Sequence, residues 1–226
     1  MLRMKLAVNG GWRTGVVGLA ALLAIGLSGA AAAAEPIQEG VDYQIVKSGD
    51  GLSTDGKVRV EEYFAYGCPH CHHLEAPLEA WLEENQDDVD LVRYPLPFSQ
   101  NSVHPTTAFY AAQKVLEQGD GSQLLAKVHG PVFQALHEQG KNFASPEEVR
   151  VFYGQLGVDV PADAFQRVHD ESAEQLTRDA YATFQTTKSR GVPTLVVDGQ
   201  YVVTGKGPER TVEIIDALVQ KAQKED

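Results

Sequence analysis

The chain has 226 residues, 43% of them hydrophobic, and 31 acidic against 19 basic residues give a formal net charge of −12. A chain of this length buries a core of its own, as one domain or one domain with a large insertion, and so acidic a surface repels phosphate backbones, which excludes nucleic acid as a partner. Its two cysteines exclude a framework of long-range bridges, and the one ring they can close is too small to add much chain-entropy stabilisation, so the pair reads as chemical rather than structural.

The first 34 residues carry Arg3, Lys5 and Arg13, then an acid-free apolar run from Val16 to Leu27 and a small-residue tail ending at Ala34. That is the layout of a cleaved secretory signal. The run is shorter than the ~20 residues of a membrane span, and a retained anchor extended by the alanines is the alternative. Either way the remainder is exported to a compartment where disulfides persist.

Val58 to Phe64, after the turn signal Thr54-Asp55-Gly56, predicts a strand that runs directly into Cys68-Pro69-His70-Cys71. Pro69 suits the first position of a helix, in which Cys71, Leu74, Leu78, Trp81 and Leu82 recur at helical spacing, with a kink expected at Pro77. Val89 to Tyr94 predicts a second strand. From 99 to 189 strand signals vanish and helices follow one another. The first runs from Thr106 to Gln118 and stops at Gly119; the second carries the stripe Leu124, Leu125, Val128, Val132, Phe133 and Leu136 before Gly140. The capping box Ser145-Pro146-Glu147-Glu148 opens a short helix ending near Gly157, and a long helix from Ala162 to Lys188 presents Phe165, Val168, Leu176, Ala180 and Phe184. Strands return at Thr194 to Val197 and Tyr201 to Thr204 around the hairpin signal Asp198-Gly199-Gln200, and Pro208 opens a last helix with Val212, Ile215, Leu218 and Val219. The order predicts an α/β fold whose sheet is formed by residues 35–98 and 190–226, with a helical domain, 99–189, inserted between the second and third strands.

The cysteine spacing has chemical content. A Cys-x-x-Cys pair opening a helix after a strand sets the first sulfur against unpaired backbone N–H groups and the positive end of the helix dipole, which lowers the Cys68 pKa; His70 stabilises the same thiolate. A stabilised thiolate stabilises the reduced form and makes the disulfide a stronger oxidant. Cys71, one turn on, is the more buried, resolving residue. The same residues support two other readings. Cys68-x-x-Cys71-His72 matches a c-type haem attachment site, His72 being the proximal ligand and another histidine, such as His104, His129, His137 or His169, the distal one, because Met1 and Met4 both lie in the signal. A zinc or copper module needs four converging ligands, whereas His70, His72 and His73 radiate around one turn.

Cys68-Pro69-His70-Cys71 is identical to the active-site motif of the DsbA family of bacterial periplasmic disulfide oxidases, which the chain also resembles in Glu62-Tyr63-Phe64, in the helical insertion and in Gly191-Val192-Pro193-Thr194. The resemblance covers nearly the whole exported chain. It implies a thioredoxin-like fold and a monomeric periplasmic enzyme that passes its Cys68–Cys71 disulfide to folding exported polypeptides. It also implies reoxidation by a membrane quinone-linked partner of the DsbB type, with no cofactor and no metal besides the redox-active disulfide. Cys68, Pro69, His70 and Cys71 are then the catalytic motif, and Val192 and Pro193 a substrate-binding loop with a cis peptide bond, where the residues alone admit an ordinary trans turn. Glu62, six residues before Cys68, is then a carboxylate beneath the site, able to exchange a proton with Cys71. Its basic partner is Arg93 where lysine is usual in the family, a change that puts the relay in doubt; a solvated Glu61-Glu62 pair on an edge strand is the alternative. A groove involving Tyr66, Pro193 and apolar side chains of the insertion is expected to accept unfolded chains. Within the redox class, an isomerase or reductase of the same fold is the alternative; such an isomerase resembles a dimer with its own N-terminal dimerisation domain, for which about twenty residues between signal and first strand leave no room.

Overall fold

The computed structural model describes residues 36–46, 56–116 and 121–225; the signal, most of the turn at Thr54 and the helix stop at Gly119 lie outside the described residues. In chain order the elements are β1 (Gln44–Ile45), β2 (Val58–Phe64), α1 (Pro69–Asn85), β3 (Val89–Pro95), α2 (Gln100–Leu116), α3 (Gly121–His137), α4 (Pro146–Gln155) and α5 (Ala162–Val168). A π-helical turn (His169–Ala173), α6 (Glu174–Thr186), β4 (Thr194–Val197), β5 (Tyr201–Thr204) and α7 (Pro208–Glu225) complete them.

The strands form one sheet in the order β1-β5-β4-β2-β3. β2 runs parallel to β3 and antiparallel to β4, and β4 and β1 both pair antiparallel with β5. The fold is thioredoxin-like, and the helices α2 to α6 interrupt it between β3 and β4. A two-residue edge strand, β1, is the one sheet element that the sequence pattern leaves unnamed. In the three-residue loop between β4 and β5, Asp198 and Gly199 have φ of +52° and +64°, the left-handed pair of a type I′ turn, closed by the Gln200 N–H on the Val197 carbonyl at 3.1 Å.

β2 lies inside the sheet, and all of its residues except Arg59 are buried, as an interior strand of a helix-covered sheet requires. Val58 and Val60 pack with Leu195, Val197 and Val203 against Leu74, Leu78 and Trp81 of α1 and Ile214, Ile215 and Leu218 of α7. Trp81 fixes the two helices by donating its indole N–H to Asp216 Oδ1 at 3.0 Å. Tyr63, Phe64 and Tyr66 belong to a second core with Phe109, Phe133, Tyr153, Phe165 and Phe184 of the inserted helices. Cys71 sits in this second core while Leu74 and Leu78 sit in the first, so α1 spans both.

Two helical expectations change, at the start of α2 and inside the long helix from Ala162. α2 begins at Gln100, six residues before Thr106, because Ser102 N–H closes a first turn on the Ser99 carbonyl (2.9 Å) and buried Ser102, Pro105 and Thr106 dock that turn despite the missing proline N–H. α1 continues through Pro77 to Asn85. The long helix from Ala162 divides at His169–Ala173, where the wider π turn shifts the phase of the apolar face and leaves Phe165, Ala173, Ala180 and Phe184 all buried. The capping box is present: Ser145 Oγ accepts the Glu148 N–H at 3.2 Å.

Candidate active site

β2 delivers the chain through Ala65, Tyr66 and Gly67 to Cys68. Gly67 leaves room for its neighbours: a Cβ there would lie 2.2 Å from Ser99 Oγ and displace that hydroxyl from Ser102 Oγ. Its N–H donates to Ser102 Oγ at 2.8 Å, and the Cys68 N–H donates to the Ala65 carbonyl at 2.9 Å, which aims the chain at the start of α1. Cys68 is the N-cap, with extended backbone angles, and its Sγ accepts the Cys71 N–H at 3.4 Å. Pro69 occupies the first turn without forfeiting a hydrogen bond.

The two sulfurs, both free thiols, differ in every respect that governs reactivity. Cys68 is half-buried, whereas Cys71 is fully buried. The Cys71 thiol, then the backbone N–H groups of Cys71 and His70, and last the His70 charge outweigh burial and pull the Cys68 pKa from its ordinary 9.0 to about 6. Burial first, and contact with Cys68 second, push the Cys71 thiol far up. Cys71 therefore leads, ahead of the helix terminus expected from the motif, and exposed His70 contributes least.

Opposite the cysteines, the Val192–Pro193 peptide bond is cis. The Val192 carbonyl oxygen faces Cys68 Sγ at 3.6 Å, where the thiol donates to it, and Thr194 Oγ1 holds the loop by donating to the Gly191 carbonyl at 2.7 Å. A small cavity of about 80 Å³ between the loop and α1 is lined by His70, His73, Leu74, Pro193, Lys206 and Pro208. Tyr66 does not line a groove: it is fully buried, its ring packed on Phe64, Phe133 and His129.

Beneath Cys71 lies a floor of charged groups. Glu62 is fully buried, and its Oε2 accepts from Arg93 Nε at 3.1 Å; Arg93 also binds Glu79. The pairing follows from parallel register, which sets Glu62 beside Arg93, and the solvated edge-strand alternative fails because β2 lies between β3 and β4. Burial pushes the Glu62 carboxyl up against the pull of Arg93. Two further residues join them that the sequence reading does not assign to the site. Glu75 of α1 is pushed up to about 7 by burial, and His129 of α3, 2.8 Å away, is pushed down to about 3 by the same cause, so its imidazole is neutral. Each had a signal, being a polar residue on an apolar helix face, Glu75 between Leu74 and Leu78 and His129 between Val128 and Val132.

The haem reading has no place in this geometry. Cys71 is sealed in the core, and His72 is stacked on His137 at 4.9 Å and packed against Phe133, with its Nε2 3.3 Å from Glu138.

A family model described as a DSBA-like thioredoxin domain matches residues 59–216. The chain is 35% identical over 213 residues to the thiol:disulfide interchange protein DsbA of Pseudomonas aeruginosa, covering 90% of this chain and 94% of that protein. It is 32% identical over 207 residues to the DsbA of Pseudomonas syringae, covering 89% and 92%. Among solved structures, Xylella fastidiosa DsbA superposes with a TM-score of 0.68 at 31% identity, covering 84% of this chain and 98% of that one.

Proposed function

The chain belongs to the DsbA-like family of thioredoxin-domain proteins and is a thiol:disulfide oxidoreductase, and from that premise we propose that it works as a periplasmic oxidase, donating a Cys68–Cys71 disulfide to cysteine pairs of exported polypeptides. The observation that carries this reading is the cap geometry of Cys68, whose sulfur accepts the Cys71 N–H at the start of α1 while burial holds the Cys71 proton in place. A low-pKa thiolate at the cap stabilises the reduced form and is a good leaving group.

In the proposed cycle a substrate thiolate attacks Cys68 Sγ, the Cys68–Cys71 bond breaks, and the electron pair leaves on Cys71. That sulfur takes up a proton, because its buried site disfavours the anion. Glu62, also buried and also held towards its protonated form, exchanges this proton. Arg93, which is always charged, fixes the carboxylate and carries no proton itself. The substrate's second thiolate then attacks the substrate sulfur of the mixed disulfide, forms the substrate disulfide and expels Cys68 as thiolate. The substrate dithiol has lost two electrons and the protein has gained them; a membrane quinone-linked partner of the DsbB type removes them again. The Val192 carbonyl, facing Cys68, offers an acceptor to the backbone of an extended substrate segment, and Pro193 shapes that edge.

A disulfide-bonded peptide, whose S–S bond the Cys68 thiolate attacks with release of the peptide's other sulfur as thiolate, tests the assignment. Cys71→Ser is expected to accumulate a mixed disulfide through Cys68, detected by mass, and Cys68→Ser to lose exchange altogether. A mixed disulfide formed through Cys71 would sink the assignment of roles.

A further inference from the structure

Among the described residues, three buried polar atoms that converge on one point have no hydrogen-bond partner: Glu62 Oε1, Glu75 Oε2 and His129 Nε2. They come from β2, α1 and α3, and one ligand-capable atom of each residue lies within 4.8 Å of the others. Glu75 Oε2 and His129 Nε2 stand 2.8 Å apart without the alignment of a hydrogen bond. Orphaned buried polar atoms are costly, and three at one point call for something between them.

The surroundings define what that is. Tyr66 Oη lies 3.4 Å from His129 Nδ1; a ring that donates there presents a lone pair at Nε2, facing the carboxylate oxygens. Arg93 holds the other oxygen of Glu62, leaving Oε1 free. Ionised, the carboxylates of Glu62, Glu75 and Glu79 outnumber the Arg93 guanidinium by two charges, the deficit that a divalent cation fills. A cavity of about 190 Å³, lined by Leu91, Arg93, Phe109, Gln113, Ala126 and His129, lies beside the imidazole and has room for water.

We propose that Glu62, Glu75 and His129 form an interior binding site for a divalent transition cation of the zinc type, with water from the adjoining cavity in the fourth position. One imidazole and two carboxylates suit zinc, and three protein ligands with one open position is a recurrent zinc arrangement. Zinc bonds of about 2.0–2.2 Å set tetrahedral ligand atoms about 3.3 Å apart, so atoms lying within 4.8 Å of one another close by at most about 1.5 Å, while Glu75 Oε2 and His129 Nε2, 2.8 Å apart, open by about 0.5 Å. Tyr66 behind His129 and Arg93 behind Glu62 are the outer partners that orient such ligands. The cation ties the inserted helix α3 to β2 and α1, and it stands against the expectation from family resemblance that the chain holds no metal.

The site shares Glu62 with the proposed proton exchange, but its test does not depend on that reading: it is made on the disulfide form, in which neither sulfur is a ligand. Cobalt(II) alone, titrated into the oxidised protein, is expected to give the visible absorption of a tetrahedral nitrogen–oxygen site at one equivalent, displaced by zinc. His129→Gln and Glu75→Gln are each expected to abolish it, and Tyr66→Phe to weaken binding by about 10-fold or more. Far-UV circular dichroism checks that the variants fold; should His129→Gln fail, Glu75→Gln decides. No absorption in the wild-type protein, or absorption that survives in the folded variants, overturns the site.

Discussion

The mouth and the floor of the active site are built from the same short stretch of chain, yet they push two like groups in opposite directions. At the mouth, Cys68 meets donors: the Cys71 thiol, two backbone N–H groups and exposed His70. At the floor, Cys71 meets exclusion from water and the buried Glu62 carboxylate. The Cys-x-x-Cys spacing brings the sulfurs together, so that the Cys71 thiol leads the activation of Cys68. Which sulfur is activated is decided by where a helix begins: the cap residue points at free N–H groups, and the residue one turn on points into the core. The floor adds a second asymmetry, because a buried ion pair contributes little net stability but is costly to break.

Breaking the floor should have the largest effect. Arg93→Met leaves Glu62 without its partner and is expected to cost about 3–5 kcal/mol of stability, measured by urea unfolding, with the mutant most destabilised at high pH, where the orphaned carboxyl must ionise. Gly67→Ala strains the mouth: the new Cβ collides with Ser99 Oγ, and an overpacking cost of about 1–3 kcal/mol should appear with a displaced Cys68 titration. Ser145→Ala, remote from both regions, should cost about 1 kcal/mol through its lost cap and leave the thiolate titration unchanged. The smallest effect belongs to His70→Leu, which should raise the Cys68 pKa by about one unit or less, read from thiolate absorbance; a shift of the whole interval back to 9.0 would make His70, and not the helix start, the source of the activation.

The mouth was legible in the sequence because its determinants are local. A strand, a small-residue loop, Cys68 and Pro69 follow one another directly, and helix capping needs nothing from elsewhere. The Glu62–Arg93 pair was legible only through family resemblance, since parallel register joins residues 31 positions apart. Glu75 and His129 escaped because each looks like a lone polar residue on an apolar helix face, and only packing α3 against α1 brings them together. Tyr66 was misjudged for the complementary reason: an aromatic residue beside the cysteines suggests a binding surface, but the inserted helices supply Phe133 and His129 to bury it. The π turn was equally out of reach, because an inserted residue shifts the phase of a stripe without interrupting it.

Whether the start of α1 stores stabilisation in the Cys68 thiolate is read from the equilibrium of the purified protein with glutathione as a function of pH. Because the folded Cys68 pKa of about 6 lies below the ordinary 9.0, thiolate stabilisation of the reduced form is fully present above about pH 9, shrinks as pH falls, and is lost below about pH 6. A disulfide readily reduced by glutathione at pH 7 is expected, with the equilibrium moving towards the reduced protein by about tenfold per pH unit between about 6 and 8. A disulfide that glutathione leaves intact, with an equilibrium flat across that interval, would contradict it.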